Sequence, residues 1–193
     1  MPNHITTQVE ISGTKEQIAD LVEKTKIIRD GEATDNQFDF NGIVKMPEEL
    51  LNTTSPTDVV ETQEEADRLN TEKRELWEKN KYGSYTDKAI SKAESERRLK
   101  EYGAVNWYDW SYPNWGTKWN AYDVHYTDGN DTKIVIQIDT AWNTPTAIWE
   151  ALEEKGYTVK GVMYGEMEGF EYIGEGADEV WEAYTSVEVD YIG

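Results

Sequence analysis

The chain has no cysteine in its 193 residues, which removes disulfide frameworks, thiolate zinc sites and cysteine nucleophiles together. That absence also points to a reducing compartment. Histidine is nearly as scarce, with His4 and His125 alone. There is no Gly-x-Ser-x-Gly elbow, no His-Glu-x-x-His pair and no phosphate-binding Walker loop, so the common hydrolase, zinc-protease and nucleotide signatures are missing. No run approaches the roughly 18 apolar residues that a membrane-crossing helix needs. Met1-Pro2-Asn3-His4 is not a basic region leading into an apolar one, so a cytoplasmic location is expected. Positive charge is short as well. Against 39 acidic residues stand 19 basic ones, a formal net charge of -20. Such a chain repels DNA, RNA and anionic lipid, whose binding rests on cationic neutralisation of phosphates. No direct nucleic-acid or membrane partner is therefore expected.

What the chain does have is aromatic residues, eight Trp and twelve Tyr, far more than a disordered acidic chain carries. The length suits one domain, with a core large enough to need no staple. The charge is uneven. Between Gly161 and Gly193 lie Glu166, Glu168, Glu171, Glu175, Asp178, Glu179, Glu182, Glu188 and Asp190, with no Lys or Arg among them. Between Lys73 and Lys100 the balance reverses, nine basic residues facing five acidic ones. The expected field is that of an acidic body with one locally basic segment.

Ile5, Thr7, Val9 and Ile11 alternate with polar neighbours, the period of a half-buried strand. Thr14 and Gln17 form a capping-box pattern, and Ile18, Leu21 and Val22 follow at helical spacing. A second strand is predicted over Phe38–Val44. From about residue 61 to 101 the composition favours helix with a thin apolar stripe, which predicts two exposed helices broken near Asn80–Ser84. Together with its flanks, at about 51–105, this reads as a helical insertion into a single domain. A dense aromatic run, Trp107 to Asn120, comes next. Strands over Tyr122–Tyr126 and Lys133–Asp139 are predicted to be joined by an Asp128-Gly129 hairpin turn. Thr144-Pro145 reads as the cap and first residue of a helix, with Ile148, Ala151 and Leu152 buried. Strands are predicted at Val159–Tyr164, Phe170–Ile173 and Val187–Tyr191, with a helical turn around Ala177–Ala183. Two helices on one antiparallel sheet is the split βαβ arrangement of α+β, ferredoxin-like folds.

Four segments carry a family likeness: Met1-Pro2-Asn3 with Ser12-Gly13; Phe38-Asp39-Phe40-Asn41-Gly42-Ile43-Val44-Lys45-Met46-Pro47-Glu48-Glu49-Leu50; Asn114-Trp115-Gly116-Thr117-Lys118-Trp119-Asn120-Ala121-Tyr122; and Thr140-Ala141-Trp142-Asn143-Thr144-Pro145. In this order they resemble the Api92-like proteins with a YubB-type ferredoxin-like domain, small proteins of phages and plasmids. The resemblance implies a mobile-element origin, a host cytoplasm and a ferredoxin-like sheet. It implies no catalytic residue and no cofactor.

Candidate sites follow from charge and aromaticity. The nine carboxylates of the last third are expected to form a partner-binding face that presents negative charge to a basic, nucleic-acid-binding surface of a host protein. With a mobile-element origin, that makes a non-enzymatic inhibitor of a host defence system, of the anti-CRISPR or anti-restriction type, the leading expectation. Trp107, Tyr108, Trp110 and Tyr112 are candidates for a contact surface, because Trp and Tyr are enriched at interface hot spots. Trp115, Trp119 and Trp142 are expected in the core. Two alternatives stand beside this. One is a phage accessory protein that assembles through the helical insertion. The other is an enzyme holding a divalent cation with Glu166, Glu168, Asp178 or Glu179. His125 paired with a carboxylate would make a general base, but a strand histidine of structural role is the expectation.

Overall fold

The computed structural model of the chain describes residues 3–26, 28–29, 32–33, 37–80, 85–165 and 169–176. In chain order the elements are β1 (His4–Ser12), α1 (Lys15–Thr25), the short strands β2 (Ile28–Arg29) and β3 (Glu32–Ala33), a 3-10 turn (Phe40–Gly42) and α2 (Glu48–Leu51). They continue with β4 (Asp58–Val60), α3 (Gln63–Asn80), β5 (Ala89–Ser91), α4 (Lys92–Tyr102) and α5 (Trp107–Trp115). The last are β6 (Tyr122–Asn130), β7 (Lys133–Ala141), α6 (Thr146–Glu154), β8 (Thr158–Gly165) and β9 (Gly169–Ile173). The chain divides into two compact units, one formed by Met1–Lys45 with Asn114–Gly193, the other by Met46–Pro113.

In the first unit the strand order is β6-β7-β1-β8-β9, every pair antiparallel. β1 and β6 are thus parallel and separated by β7, and β7 and β8 are parallel and separated by β1. These are two interlocked split βαβ crossovers, carried by α1 and α6, and they make the fold α+β and ferredoxin-like, with β9 as a fifth strand. The alternation in β1 is realised residue by residue: Ile5, Thr7, Val9 and Ile11 are buried, against Ile134, Ile136 and Ile138 of β7. α1 starts at the capping box, where the Gln17 N–H donates to Thr14 Oγ1 and the Thr14 N–H to Gln17 Oε1. It buries Ile18 and Leu21, and α6 buries Ile148, Trp149 and Leu152.

Three expectations fail locally in this unit. Phe38–Val44 is not a strand. The Asp39 carboxylate accepts the Asn41 N–H at 2.9 Å and starts the 3-10 turn, while Phe38, Phe40 and Ile43 are still buried. Gly42 sits so close to the end of α1 that a Cβ there would lie 2.1 Å from the Lys24 carbonyl oxygen. The hairpin turn falls at Asp131-Thr132 instead of Asp128-Gly129, because Asn130 Oδ1 accepts both the N–H and the hydroxyl of Thr132. Asp128 and Gly129 lie in β6, opposite Val135 and Ile134. Finally, α6 is capped by Pro145 and not by Thr144, whose hydroxyl is engaged by Thr7 Oγ1 at 3.2 Å and Trp149 Nε1 at 3.3 Å. The predicted helical turn at Ala177–Ala183 and strand at Val187–Tyr191 lie outside the described residues.

In the second unit β4 and β5 pair in parallel and are joined by α3, a small βαβ motif. The two expected helices are α3 and α4. The two strands were not legible, since three residues are too few to show a period. Asn70 of α3 secures them: its Nδ2 donates to the Ala89 carbonyl at 2.8 Å, and its Oδ1 accepts the N–H groups of Lys88 and Ala89. α4 begins on Ser91, whose hydroxyl accepts the Glu94 N–H, and ends at Gly103 with φ 74°, the left-handed conformation that glycine adopts at no steric cost. The aromatic run enters α5 behind Asn106, whose Oδ1 accepts the N–H groups of Tyr108 and Asp109 at 3.0 Å. Among the described residues no helix is long and apolar enough to cross a membrane.

Candidate functional surfaces

Of the nine expected carboxylates, Glu166, Glu168, Asp178, Glu179, Glu182, Glu188 and Asp190 lie outside the described residues. Glu171, on β9 at the edge of the sheet, and Glu175, in the turn after it, are both exposed. The described lysines of the first unit already have partners. Lys133 and Lys160 both reach Glu10, at 3.2 and 3.6 Å, and Lys133 also lies 3.6 Å from Asp128. Lys15, Lys24 and Lys26 pair with Asp131, Asp20 and Glu23. The Lys155 ammonium donates to the Ile43 carbonyl at 2.6 Å. The first unit carries 24 of the acidic residues against nine basic ones, so its described lysines offset only a minority of its carboxylates.

Five of the nine basic residues of the locally basic segment are paired within their own unit. Asp58 takes both Lys73 and Lys88, at 2.9 and 3.3 Å, and their contacts hold its carboxyl below the ordinary range despite partial burial. Arg74 binds both oxygens of Asp87. Arg97 bridges Glu94, Glu101 and Glu49, and Arg98 binds Glu94 at 2.7 Å. With Arg97 and Arg98 beside it, the Glu94 carboxyl is held down to about 2. Much of the excess Lys and Arg in the sequence is thus drawn into an ion-pair network.

The aromatic candidates separate. Trp107, Tyr108 and Tyr112 are half-buried and stack edge to face, with ring centroids 5.7 Å apart for the first pair and 5.2 Å for the second. Burial and the neighbouring Tyr108 raise the Tyr112 phenol. Trp110 is a correction: it is only 5% exposed and supplies no contact surface. Helical periodicity sets it beside Ser111 and Trp115 on the buried side of α5, a sorting invisible until the run is known to be a helix. Trp115 is buried as expected, but Trp119 and Trp142 are 39% and 44% exposed and do not belong to the core. Trp119 instead lies under the Lys118 ammonium, 4.6 Å from its ring centroid.

Within the first unit, the described residues of the segments that carry the family likeness pack on one another. Phe40 meets Trp115 edge to face, and Trp115 Nε1 donates to the Val44 carbonyl at 2.9 Å. Asn120 Oδ1 accepts the Phe40 N–H, while Thr117 Oγ1 donates to the Ala141 carbonyl and the Trp142 N–H to the Asn3 carbonyl. Gly116, at φ 83°, lets this segment pass so near Thr146 that a Cβ would come within 2.7 Å of it. These residues build the fold.

One arrangement escaped the sequence. His4 and His125, 121 positions apart, both act on Asp139 electrostatically. His4 Nδ1 lies 2.8 Å from the Tyr122 hydroxyl, and Thr6 Oγ1 donates to Asp139 Oδ1 at 2.7 Å. Burial raises the Asp139 carboxyl, with the charge of Asp123 adding to it, while the Thr6 hydrogen bond and the histidines oppose the rise. Asp123 has φ 47° and sits in an irregularity of β6 between Tyr122 and His125, the kind of bulge that re-aims side chains. The strand register was the only signal available, since it sets Thr6 opposite Asp139 and Tyr122 opposite the same residue. Among the described residues no group of three or more His, Asp and Glu is placed to hold a metal ion.

No protein-family model matches the chain, and comparison with curated proteins and with solved structures finds no significant match.

Proposed function

We propose that the chain is a non-enzymatic binding protein of a phage or other mobile element. In this reading its ferredoxin-like unit presents carboxylates to a basic, nucleic-acid-binding surface of a host protein, inhibiting a defence system of the anti-CRISPR or anti-restriction type. The observation that carries the reading is the commitment of cations. The described lysines of this unit are engaged by partners of their own, while Glu171 and Glu175 stand exposed at the sheet edge in a stretch without Lys or Arg. A surface of that kind attracts a cationic groove by the same electrostatics that attract nucleic acid. Exposed Tyr164 and Tyr172 lie diagonally on one face of β8 and β9 and offer an apolar anchor beside the charge.

The test combines capture from host lysate with a plaque assay. The captured partner should release as salt rises and should be displaced by duplex DNA. Expression of the chain should restore phage plating on a host carrying the targeted defence. Neutralising the nine carboxylates to Gln or Asn should abolish both effects. Capture that is indifferent to salt and DNA, or protection that survives neutralisation, refutes the reading.

A further inference from the structure

The two faces of the five-stranded sheet differ in what covers them. On one, Ile5, Thr7, Val9 and Ile11 of β1 stand with Ile134, Ile136 and Ile138 of β7. Thr7 Oγ1 lies 3.2 Å from Thr144 Oγ1, just ahead of α6, so α6 packs on this face. The right-handed sense of both crossovers sets α1 beside it.

On the other face the register places Glu10 between Val135 of β7 and Lys160 of β8, and Gln8 between Gln137 and Val162. A sheet face left to water carries polar, accessible side chains. Here Val135 is 0% and Val162 3% exposed, and even the Glu10 side chain is only 13% exposed. Lys133 and Lys160 turn toward Glu10 at 3.2 and 3.6 Å and shade its flanks. Val162 lies one residue pair further along, between Gln8 and Tyr172. The helices of this unit, on the opposite face, do not account for its burial.

The covered area is narrow. Asp128, opposite Val135 on β6, is exposed, and so is Tyr172, opposite Val162 on β9. What is buried is a strip over β7, β1 and β8. Two strand spacings of about 4.8 Å separate its sides, so it is roughly 10 Å wide. A helix with its side chains measures about 10–12 Å across.

The sequence supplies a segment of that width. Ala177, Val180, Trp181 and Tyr184 recur at i, i+3, i+4 and i+7, the apolar stripe of a helix, with Asp178, Glu179 and Glu182 on its polar side. These residues follow directly on β9 and lie outside the described ones. A Cβ on Gly174 would lie 2.0 Å from the Val159 carbonyl oxygen, so the end of β9 is held against β8. Gly174 and Gly176, at φ 76° and 73°, take the left-handed conformation that suits a change of chain direction there. The segment thus departs one strand away from the strip.

We propose that residues 177–193 of this chain dock on the open face of the sheet, seating Ala177, Val180, Trp181 and Tyr184 on the strip between Val135 and Val162. Capture of a host partner can fail while this docking holds, and the reverse, so the two proposals stand separately.

Because the chain has no cysteine, Glu182→Cys gives a single attachment site for a nitroxide label, on the polar side of the stripe. In the 15N-labelled full chain the label should broaden the amide signals of 8–10, 135–137 and 160–162 and leave those of 148–152 on α6 sharp. Adding Val180→Ser and Trp181→Ser should abolish that broadening. Unchanged shifts at 148–152 then show that the core has kept its fold. Broadening that is absent, that falls on α6 instead, or that survives the double substitution overturns the proposal. So does broadening seen when labelled 14N chain is mixed with unlabelled 15N chain, which assigns the face to a second copy.

Discussion

The side-chain carbonyl of Asn120 accepts the backbone N–H of Phe40 at 2.9 Å, across 80 positions of sequence. The same side chain donates through Nδ2 to Asp39 Oδ1 at 2.6 Å, so one amide secures the 3-10 turn to the entrance of β6. Asn120→Ala removes both bonds and leaves the Phe40 N–H without its acceptor. The expected cost is about 1–3 kcal/mol, read as a lower midpoint in urea with an unchanged slope. Asn120→Asp keeps the acceptor but sets a second carboxylate against Asp39. It should cost more at neutral pH, and the excess should shrink on acidification.

Trp110 and Tyr172 make an opposed pair of aromatic substitutions. Trp110 is 5% exposed and Tyr172 is 55% exposed. Trp110→Ala should destabilise the protein by about 3–5 kcal/mol, as truncation of a buried aromatic does. Tyr172→Ala should stay within about 0.5 kcal/mol. Urea denaturation followed by circular dichroism checks both. In the proposed binding reading Tyr172→Ala weakens partner capture although stability is unchanged, so the same variant separates contact from core.

The sheet of the first unit was legible because its signals agree across levels. Alternation in β1, the Thr14–Gln17 box and the Ile134, Ile136, Ile138 face each have one structural solution, and together they specify split βαβ crossovers. What was misread lies where a side chain overrides a pattern. Asp39 turns the Phe38 and Phe40 alternation into a 3-10 turn, and Asn130 moves the hairpin turn three residues on, from Asp128-Gly129 to Asp131-Thr132. Long-range convergence was beyond reach altogether. No local pattern says that Arg97 meets Glu49, or that His4 meets Tyr122. For that reason the ion pairs within the locally basic segment, and the surroundings of Asp139, were not legible.

The Glu94 network predicts how the second unit responds to acid. Its carboxyl is held at about 2, below the ordinary value of 4.5, by the hydrogen bonds of Arg97 and Arg98. A depressed carboxyl contributes stability that is present above its unfolded-state pKa and lost as pH falls through the folded one. Asp58 is depressed in the same sense by Lys73 and Lys88. Stability should therefore decline between about pH 4.5 and pH 2. Glu94→Gln should be less stable than wild type at neutral pH, and the difference should close toward the acid end of that window. Thermal melts across the range provide the check, with high salt reducing the gap because the pairs are partly exposed. A gap that stays constant with pH would show that the arginines contribute packing and not charge.

Asp139 predicts the opposite sign. Its carboxyl is raised, chiefly by burial and secondarily by Asp123, so the ionised form is the penalised one. The penalty is present above the folded-state pKa and disappears as pH falls below the unfolded one. Asp139→Asn retains an oxygen to accept the Thr6 hydroxyl and removes the half-buried charge. The variant should melt higher than wild type near pH 7, and the two should converge near pH 3. Substituting His4 or His125 by Gln in the wild-type background should push the Asp139 carboxyl up further and cost stability at mildly acidic pH, where an imidazole carries its charge. In the Asp139→Asn background the same histidine substitutions should cost less, and a double-mutant cycle measures that coupling directly. Additive effects at every pH would mean that the histidines and Asp139 act separately.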